Sequence, residues 1–174
     1  MKSIILIILT LNLCLVSCNK NNHTTWKPKY SDFDLELVFN DKWELSKPID
    51  NDDMVLVMLS DSTDYSSFSV KIEPDFSKDL ISDKDYFEGI KIHFLDLPEN
   101  QLIKEDYTNF QGIEYKRLIF LMKRDFGEMT HTIYTYRNEK KVININFSYP
   151  KNLIAKPTEK IPLKIEELLN RMKI

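Results

Sequence analysis

The chain has 174 residues, with 24 Lys and Arg against 27 Asp and Glu and a formal net charge of −3. This near balance of charges, without a basic block, gives no electrostatic basis for binding nucleic acid or anionic lipid. Its three glycines, Gly89, Gly112 and Gly127, are too scattered for a phosphate-binding loop, so we predict no nucleotide and no other cofactor.

The first 18 residues have the pattern of a lipoprotein signal. Lys2 precedes an apolar run at residues 4–16, which is shorter than the roughly 20 residues that a helix needs to span a bilayer. The run ends in Leu15-Val16-Ser17-Cys18, which resembles the lipobox of bacterial lipoproteins. The resemblance implies cleavage between Ser17 and Cys18, with a diacylglycerol on the Cys18 sulfur and acyl chains such as palmitate.

The chain is thereby divided into a signal peptide at residues 1–17, a lipidated cysteine with a flexible tether at 18–29 and one domain at 30–174. The tether is predicted from polar residues that have no apolar periodicity. After processing, Cys18 would be the last cysteine, which excludes a disulfide and a cysteine nucleophile. In bacterial lipoproteins, an aspartate directly after the lipidated cysteine favours retention in the inner membrane. This chain has Asn19 at that position, so we expect an outer-membrane protein that faces the periplasm.

Strand patterns begin at Tyr30. Apolar residues alternate with other residues at 33–39, which predicts a strand with one wet face. Residues 54–59 are continuously apolar and predict a strand covered on both faces. A turn is expected at residues 61–64, followed by another alternating strand at 68–72.

A helix is expected next, with Ser82 as its N-cap and Pro98 beyond its end. Its apolar residues lie three or four apart, and a second amphipathic helix is predicted at residues 161–172. Short turns join four further strands, which should therefore be antiparallel neighbours; they are predicted at residues 102–110, 114–123, 129–136 and 142–149. This order predicts an α+β fold, an antiparallel β-sheet flanked by helices.

Three local patterns carry a resemblance to the PsbP/DcrB-like family, whose fold is shared with a Ran-binding import factor. They are an apolar strand leading to a tryptophan at 37–43, a glycine turn into a long strand at 110–117, and a last strand ending in Phe147-Ser148-Tyr149-Pro150. The resemblance implies an antiparallel sheet between helices and a role in binding proteins or stabilising assemblies. It implies no catalytic residue.

Few residues are candidates for site chemistry. The histidines, His23, His93 and His131, have no metal-ligand spacing. Asp50-Asn51-Asp52-Asp53 is either a solvated turn or a source of calcium ligands, although it lacks the glycine and glutamate of an EF-hand loop. Ser148 and Lys151 match Ser-x-x-Lys, but the serine ends a strand and a proline interrupts the motif.

The leading hypothesis is therefore a lipid-anchored, non-enzymatic module of the cell envelope that binds an unknown protein partner. It is attached to the membrane through the lipid on Cys18 and does not bind nucleic acid. The alternative is a periplasmic module for a small ligand, in an aromatic groove, or for calcium, at residues 50–53. A hydrolase of envelope polymers is the third hypothesis, and it would need a cleft with convergent titratable groups.

Overall fold

The computed structural model describes residues 23–174. The predicted signal peptide, its cleavage site at Ser17 and the lipidated Cys18 lie outside the described residues. The elements of the described part are, in chain order, β1 (His23–Trp26), β2 (Leu37–Asn40), β3 (Glu44–Leu45), β4 (Ile49–Asn51), β5 (Met54–Asp61), β6 (Ser66–Pro74), α1 (Asp83–Leu95), β7 (Gln101–Phe110), β8 (Ile113–Arg124), β9 (Gly127–Arg137), β10 (Lys141–Pro150), a 3₁₀ turn (Lys151–Leu153) and α2 (Leu163–Arg171).

One antiparallel sheet of eight strands organises the fold. Its order is β3-β5-β6-β10-β9-β8-β7, and β4 pairs with β5 beside β3. Strands β1 and β2 form a separate two-stranded antiparallel sheet. The prediction of an α+β fold with one helix between strands and one at the carboxyl end is confirmed. The four hairpin strands after α1 match their predicted ranges to within two residues.

The larger core lies on the first face of the sheet. Strand β2 and helix α2 cover this face, and α2 buries Ile165, Leu168 and Leu169 there. The alternation predicted around residues 33–39 serves this core, because Leu35, Leu37 and Phe39 are buried while the residues between them are not. The apolar residues of α2, which recur at helical spacing, thus share a core with strand residues that point to it at every second position.

The smaller core lies on the second face, under α1. Its buried residues come from β8 and β9, and Ile90 and Phe94 of α1 pack against them. Ser82 caps α1 as predicted, since its side chain accepts a hydrogen bond from the Asp85 backbone N–H. Helix α1 covers only part of the second face, and none of its residues is fully buried.

The structure differs from the predicted tether at residues 23–29. His23–Trp26 form β1, which pairs with β2 along its whole length. The Asp50 carboxylate then accepts hydrogen bonds from the backbone N–H groups of Lys29, Tyr30 and Ser31. Backbone pairing needs no apolar side chains, so the polar composition of this segment did not reveal the strand. Residues 18–22 of the predicted tether lie outside the described part of the chain.

The prediction that residues 54–59 form a strand covered on both faces is wrong. In β5, Val55, Val57 and Leu59 are buried against the larger core, whereas Met58 on the opposite face is 49% exposed. Met58 borders an open cleft there rather than a packed layer.

Candidate functional site

A cleft of about 850 Å³ lies between α1 and the second face of the sheet. Strands β5, β6, β9 and β10 contribute to its floor and sides, and α1 forms its opposite side. Ligand sites in proteins usually occupy clefts of about 300–1,000 Å³, so this volume is sufficient for a small ligand. We call it the α1 cleft.

The cleft exists because α1 is packed on one half of the sheet only. Phe94 stacks on Phe120 of β8, with ring centroids 5.1 Å apart, and this contact holds the carboxyl-terminal half of α1 over β8 and β9. Gly89 has no side chain to fill the space beside this contact, and a Cβ at that position would meet no atom within 4 Å. The other half of the second face, on β6 and β10, is therefore left open.

The floor of the α1 cleft is polar and uncharged at its centre. Ser67 and Ser69 of β6 lie on the second face, beside Asn144 and Asn146 of the neighbouring β10. Asn146 is directly opposite Ser69 in the antiparallel register, and its amide donates a long hydrogen bond of 3.5 Å to the Ser69 hydroxyl. We call these four residues the polar floor.

The wall of the cleft is apolar. It combines Met58 of β5, Ile133 of β9 and the side chains of Ile90 and Phe94 on α1. Tyr86, one turn earlier on α1, also lines the cleft; burial raises the pKa of its phenol, whereas a hydrogen bond with Asn144 lowers it. A polar floor that faces an apolar wall gives the α1 cleft an amphipathic lining.

His131 of β9 lines the cleft beside the wall. Its Nδ1 lies 2.5 Å from the Ser148 hydroxyl of β10, and its ring stacks on Phe94 with centroids 5.0 Å apart. Its Nε2 is inaccessible to solvent and has no hydrogen-bond partner in the described residues. Burial, together with the nearby Arg124 cation, lowers the pKa of His131 to about 4, so the ring is neutral at pH 7.

The amino-terminal end of α1 is fixed to the sheet by Arg137 of β9. This side chain is fully buried and forms an ion pair with Asp75, whose side chain is 1% exposed. It also donates a 2.8 Å hydrogen bond to the Ile81 carbonyl just before α1, and its guanidinium lies 4.5 Å from the centre of the Tyr86 ring. We call this group the Arg137 clamp, and it sets the width of one end of the cleft.

The charged residues of the cleft largely cancel one another. Lys71 and Glu73 follow each other on the second face of β6 and form an ion pair of 2.7 Å. Asp85 of α1 is the other charged residue in the lining. Among residues 23–174, the cleft therefore presents no unpaired cation to a carboxylate or a phosphate.

The predicted acidic candidates have structural roles. Asp50 binds three backbone N–H groups, as described above, and these contacts hold the pKa of its carboxyl below its usual range against the effect of burial. Asn51 accepts hydrogen bonds from the backbone of Asp53 and Met54. Within residues 23–174, no group of three or more His, Cys, Asp or Glu side chains is arranged to hold a metal ion. The calcium alternative therefore has no ligand set at residues 50–53.

The structure also shows the partners of the acidic turn at residues 61–64 and of the Ser-x-x-Lys motif. Asp61 and Asp64 were expected in a solvated turn, but Asp61 is buried and the ammonium of Lys164 on α2 binds both carboxylates, at 2.8 and 2.5 Å. The Ser148 and Lys151 pair does not meet, because Lys151 binds Glu128 at 2.7 Å while Ser148 contacts His131. The Ser-x-x-Lys match is a coincidence of sequence, as predicted.

The polar floor and His131 were not predicted as a site. A signal existed, because Ser67, Ser69 and Lys71 alternate with buried residues in β6, as Asn144 and Asn146 do in β10. Two adjacent central strands with the same wet face indicate a surface that the covering helix leaves open. The sequence could not reveal which strands are adjacent, since β6 and β10 are separated by α1 and three strands.

No known family profile matches the chain, and no curated protein matches it either. Among solved structures, a protein from Bacteroides thetaiotaomicron is 12% identical with a TM-score of 0.43, and the match covers 80% of this chain and 44% of that protein. The protein of unknown function PA94 from Pseudomonas aeruginosa is 15% identical with a TM-score of 0.40, covering 79% and 90% of the two chains. LpqN, involved in cell envelope biogenesis of Mycobacterium tuberculosis, is 12% identical with a TM-score of 0.42, covering 89% and 91%.

These similarities are too distant to indicate function. The chain spans less than half of the length of the Bacteroides protein that it matches. The resemblance to the PsbP/DcrB-like family has no family match behind it and stays a prediction. In the part of the chain from His23 onward, no helix is both long enough and apolar enough to cross a membrane.

Proposed function

We propose that this protein is a lipid-anchored, non-enzymatic protein of the cell envelope that binds a small ligand in the α1 cleft. The observation that carries the proposal is the cleft itself, which has about 850 Å³ of space, an apolar wall and a polar floor. A largely apolar cleft with a few placed polar groups is the usual form of a small-ligand site. Of the alternatives weighed from the sequence, the small-ligand module is the one that the geometry favours.

The arrangement of His131 and Ser148 supports a binding role over a hydrolytic one. A serine nucleophile needs a base that is partly available near pH 7 and that a third group orients. Burial lowers the pKa of His131 to about 4, and its Nε2 has no partner within residues 23–174. The pair therefore lacks both the basicity and the orienting group of a catalytic dyad.

Membrane attachment through the lipid on Cys18 is the second part of the proposal, with the domain facing the periplasm from the outer membrane. Two or three acyl chains anchor a domain firmly, since each buried methylene contributes roughly 0.8 kcal/mol. The described domain begins at His23, five residues beyond Cys18, so the domain would lie close to the membrane surface.

Binding of a protein partner is the second candidate function, and one observation favours it. Tyr65 and Phe126 stack at one end of the sheet with ring centroids 5.2 Å apart, although they are 64% and 60% exposed. Exposed aromatic side chains are enriched at protein interfaces. This end of the sheet is therefore where a site-specific crosslinker should be introduced to identify a partner in cells.

The ligand site is tested by filling the α1 cleft. We expect that Gly89→Leu weakens binding of the neutral fluorophore N-phenyl-1-naphthylamine by tenfold or more, because the new side chain enters the cleft while leucine also favours the helix. Fluorescence titration of the purified domain measures the dissociation constant. Lys84→Leu is the matched control, since Lys84 is exposed on α1 and does not line the cleft. Absence of fluorophore binding to the unmodified domain, or an equal loss in both variants, would contradict the proposal.

The anchor is tested by replacing the lipidated residue. We expect that Cys18→Ser abolishes incorporation of a clickable palmitate analogue in cells and releases the protein from the lipid-modified membrane pool, because the thiol that receives the diacylglycerol is gone. In-gel fluorescence after labelling measures incorporation. Cys14→Ser is the matched control, since it removes the other cysteine and leaves the lipobox intact. Equal labelling of the Cys18→Ser protein would refute lipidation at this site.

A further inference from the structure

We infer that the ligand of the α1 cleft is an uncharged amphiphile, with a hydroxyl-bearing head on the polar floor and an apolar tail along the wall. The inference rests on the proposed function and deepens it by naming the class of ligand. Its basis is the juxtaposition of Ser69 and Asn146, at the centre of the floor, with the apolar side chains of α1 across the cleft.

The polar floor matches hydroxyl groups in particular. A serine hydroxyl and an asparagine carboxamide each supply both donors and acceptors, so they pair with groups that also donate and accept. The one hydrogen bond between Asn146 and Ser69 is long, at 3.5 Å, which leaves the capacity of both side chains largely unused. A hydroxyl-bearing head satisfies these atoms, whereas an alkyl chain over the floor would leave them without partners.

His131 adds an uncharged side chain at the edge of the floor. Its imidazole is neutral at pH 7, and the contact of Nδ1 with the Ser148 hydroxyl is compatible with either tautomer. Because its Nε2 is inaccessible to solvent, His131 offers the ligand neither a charge nor a free ring nitrogen, and the hydrogen bonds to the head group come from the polar floor.

The charges of the lining disfavour an anionic head. Lys71 is paired with Glu73, and Asp85 adds a negative charge on the α1 side. Burying a carboxylate or a phosphate here would require its desolvation without a cation to compensate. A fatty acid anion and an anionic phospholipid are therefore the wrong class, although their tails would fit the wall.

The wall accounts for the apolar part of the ligand. Met58 of β5 faces the cleft and is 49% exposed, and Ile90 and Phe94 contribute apolar surface from α1 on the other side. An alkyl chain that covers these side chains removes apolar surface from water on both sides, which favours binding. The flexible thioether of Met58 can adapt to chains of different shape.

The head-group preference is tested by competition at pH 7, below micelle-forming concentrations. Three ligands with the same chain length displace bound N-phenyl-1-naphthylamine: 1-monolauroylglycerol, which is neutral, laurate, which is anionic, and dodecyltrimethylammonium, which is cationic. We expect 1-monolauroylglycerol to bind at least tenfold more tightly than laurate, whose charge the lining does not neutralise, and than dodecyltrimethylammonium, whose head cannot form hydrogen bonds with the polar floor. A charged ligand that binds as tightly as the neutral one overturns the inference.

The floor is tested by the double variant Ser69→Ala/Asn146→Val, which removes its central hydrogen-bonding groups and keeps strand-compatible side chains. We expect about a tenfold loss of affinity for 1-monolauroylglycerol with unchanged affinity for the fluorophore, since two hydrogen bonds are lost and the wall is intact. Ser60→Ala is the matched control, an exposed serine of β5 outside the cleft lining.

The two levels of the proposal fail in different ways. If Gly89→Leu does not reduce fluorophore binding, the cleft is not the ligand site and the proposed function fails. If Gly89→Leu blocks binding but the double variant binds 1-monolauroylglycerol as well as the unmodified domain does, the cleft is a ligand site and the assignment of its ligand class is wrong.

Discussion

Replacing Arg137 with methionine is expected to destabilise the native state by about 3–5 kcal/mol, which is the usual effect of removing one partner of a buried ion pair. The Arg137 side chain is fully buried, and Asp75, its ion-pair partner, is 1% exposed. Without the guanidinium, the buried Asp75 carboxylate would lose its cation and keep only the hydrogen bonds that Ser77 donates, and the Ile81 carbonyl would lose its donor. Urea denaturation followed by circular dichroism measures the change in the free energy of unfolding.

The control shows whether the loss of stability comes from the burial of the ion pair or simply from the removal of a cation. Lys151→Met also removes one cation of an ion pair, but Lys151 and Glu128 are both exposed, so we expect little change in stability. The double variant Asp75→Asn/Arg137→Met should recover part of the loss, because it leaves no buried charge behind. If Arg137→Met is no more destabilising than Lys151→Met, the Arg137 clamp does not stabilise the fold.

The Arg137 clamp also links stability to the α1 cleft. The guanidinium contacts the segment just before α1 and the ring of Tyr86, which lines the cleft. Asn100 holds the other end of the helix by donating a 2.7 Å hydrogen bond to the Phe94 carbonyl. Between these two attachments, Gly89 leaves α1 without a side chain over the open half of the sheet. The cleft is thus a consequence of a helix that is fixed at both ends and unpacked along one side.

Local patterns were sufficient for most of the fold. Ser82 marked the start of α1 because a serine N-cap satisfies a backbone N–H that no helical carbonyl can reach. The hairpins after α1 were predicted because short connections force antiparallel neighbours. Strand β1 was not predicted, since a strand of polar residues is stabilised by backbone pairing with β2, which its own side chains do not encode.

The candidate site depends on contacts between residues that are far apart in sequence. Arg137 and Asp75 are separated by 62 positions, and neither belongs to a recognisable motif. The polar floor combines β6 and β10, whose adjacency is a property of the sheet order rather than of either strand. The exposure of Met58 contradicted the usual interpretation of an apolar run, because one face of β5 lies in the larger core while Met58, on the other face, lines the α1 cleft. Sequence periodicity indicates which face of an element is wet, but it does not indicate what covers that face.

The second large effect is a loss of stability in mild acid that depends on His131. Burial lowers the pKa of this imidazole to about 4 in the native state, against about 6.5 for an unfolded histidine. Below pH 6.5 the unfolded chain binds a proton that the native state excludes, so stability is complete above pH 6.5 and falls as the pH drops towards 4. The difference corresponds to about 3 kcal/mol lost across this interval.

The variant His131→Phe isolates this contribution, because it keeps the aromatic contact with Phe94 and removes the titratable group. Its free energy of unfolding, measured by urea titration between pH 7 and pH 5, should lose most of the pH dependence of the unmodified domain. His131→Gln provides a second, smaller neutral side chain in case the larger ring does not fit. His93→Gln is the matched control, since it removes an exposed histidine of α1 whose ring also contacts Phe94.

Carboxylates contribute to acid sensitivity at lower pH. The ion pair with Arg117 lowers the pKa of Asp106 to about 2, so the stability that this pair provides is lost progressively as the pH falls from about 5 towards 2, because the carboxyl protonates first in the unfolded chain and then in the native state. The two intervals overlap between about pH 5 and pH 4, so the slope between pH 6.5 and pH 5 is the part that reports mainly on the buried imidazole. A His131→Phe protein that keeps the full slope in this interval would show that His131 is not held neutral beside the α1 cleft.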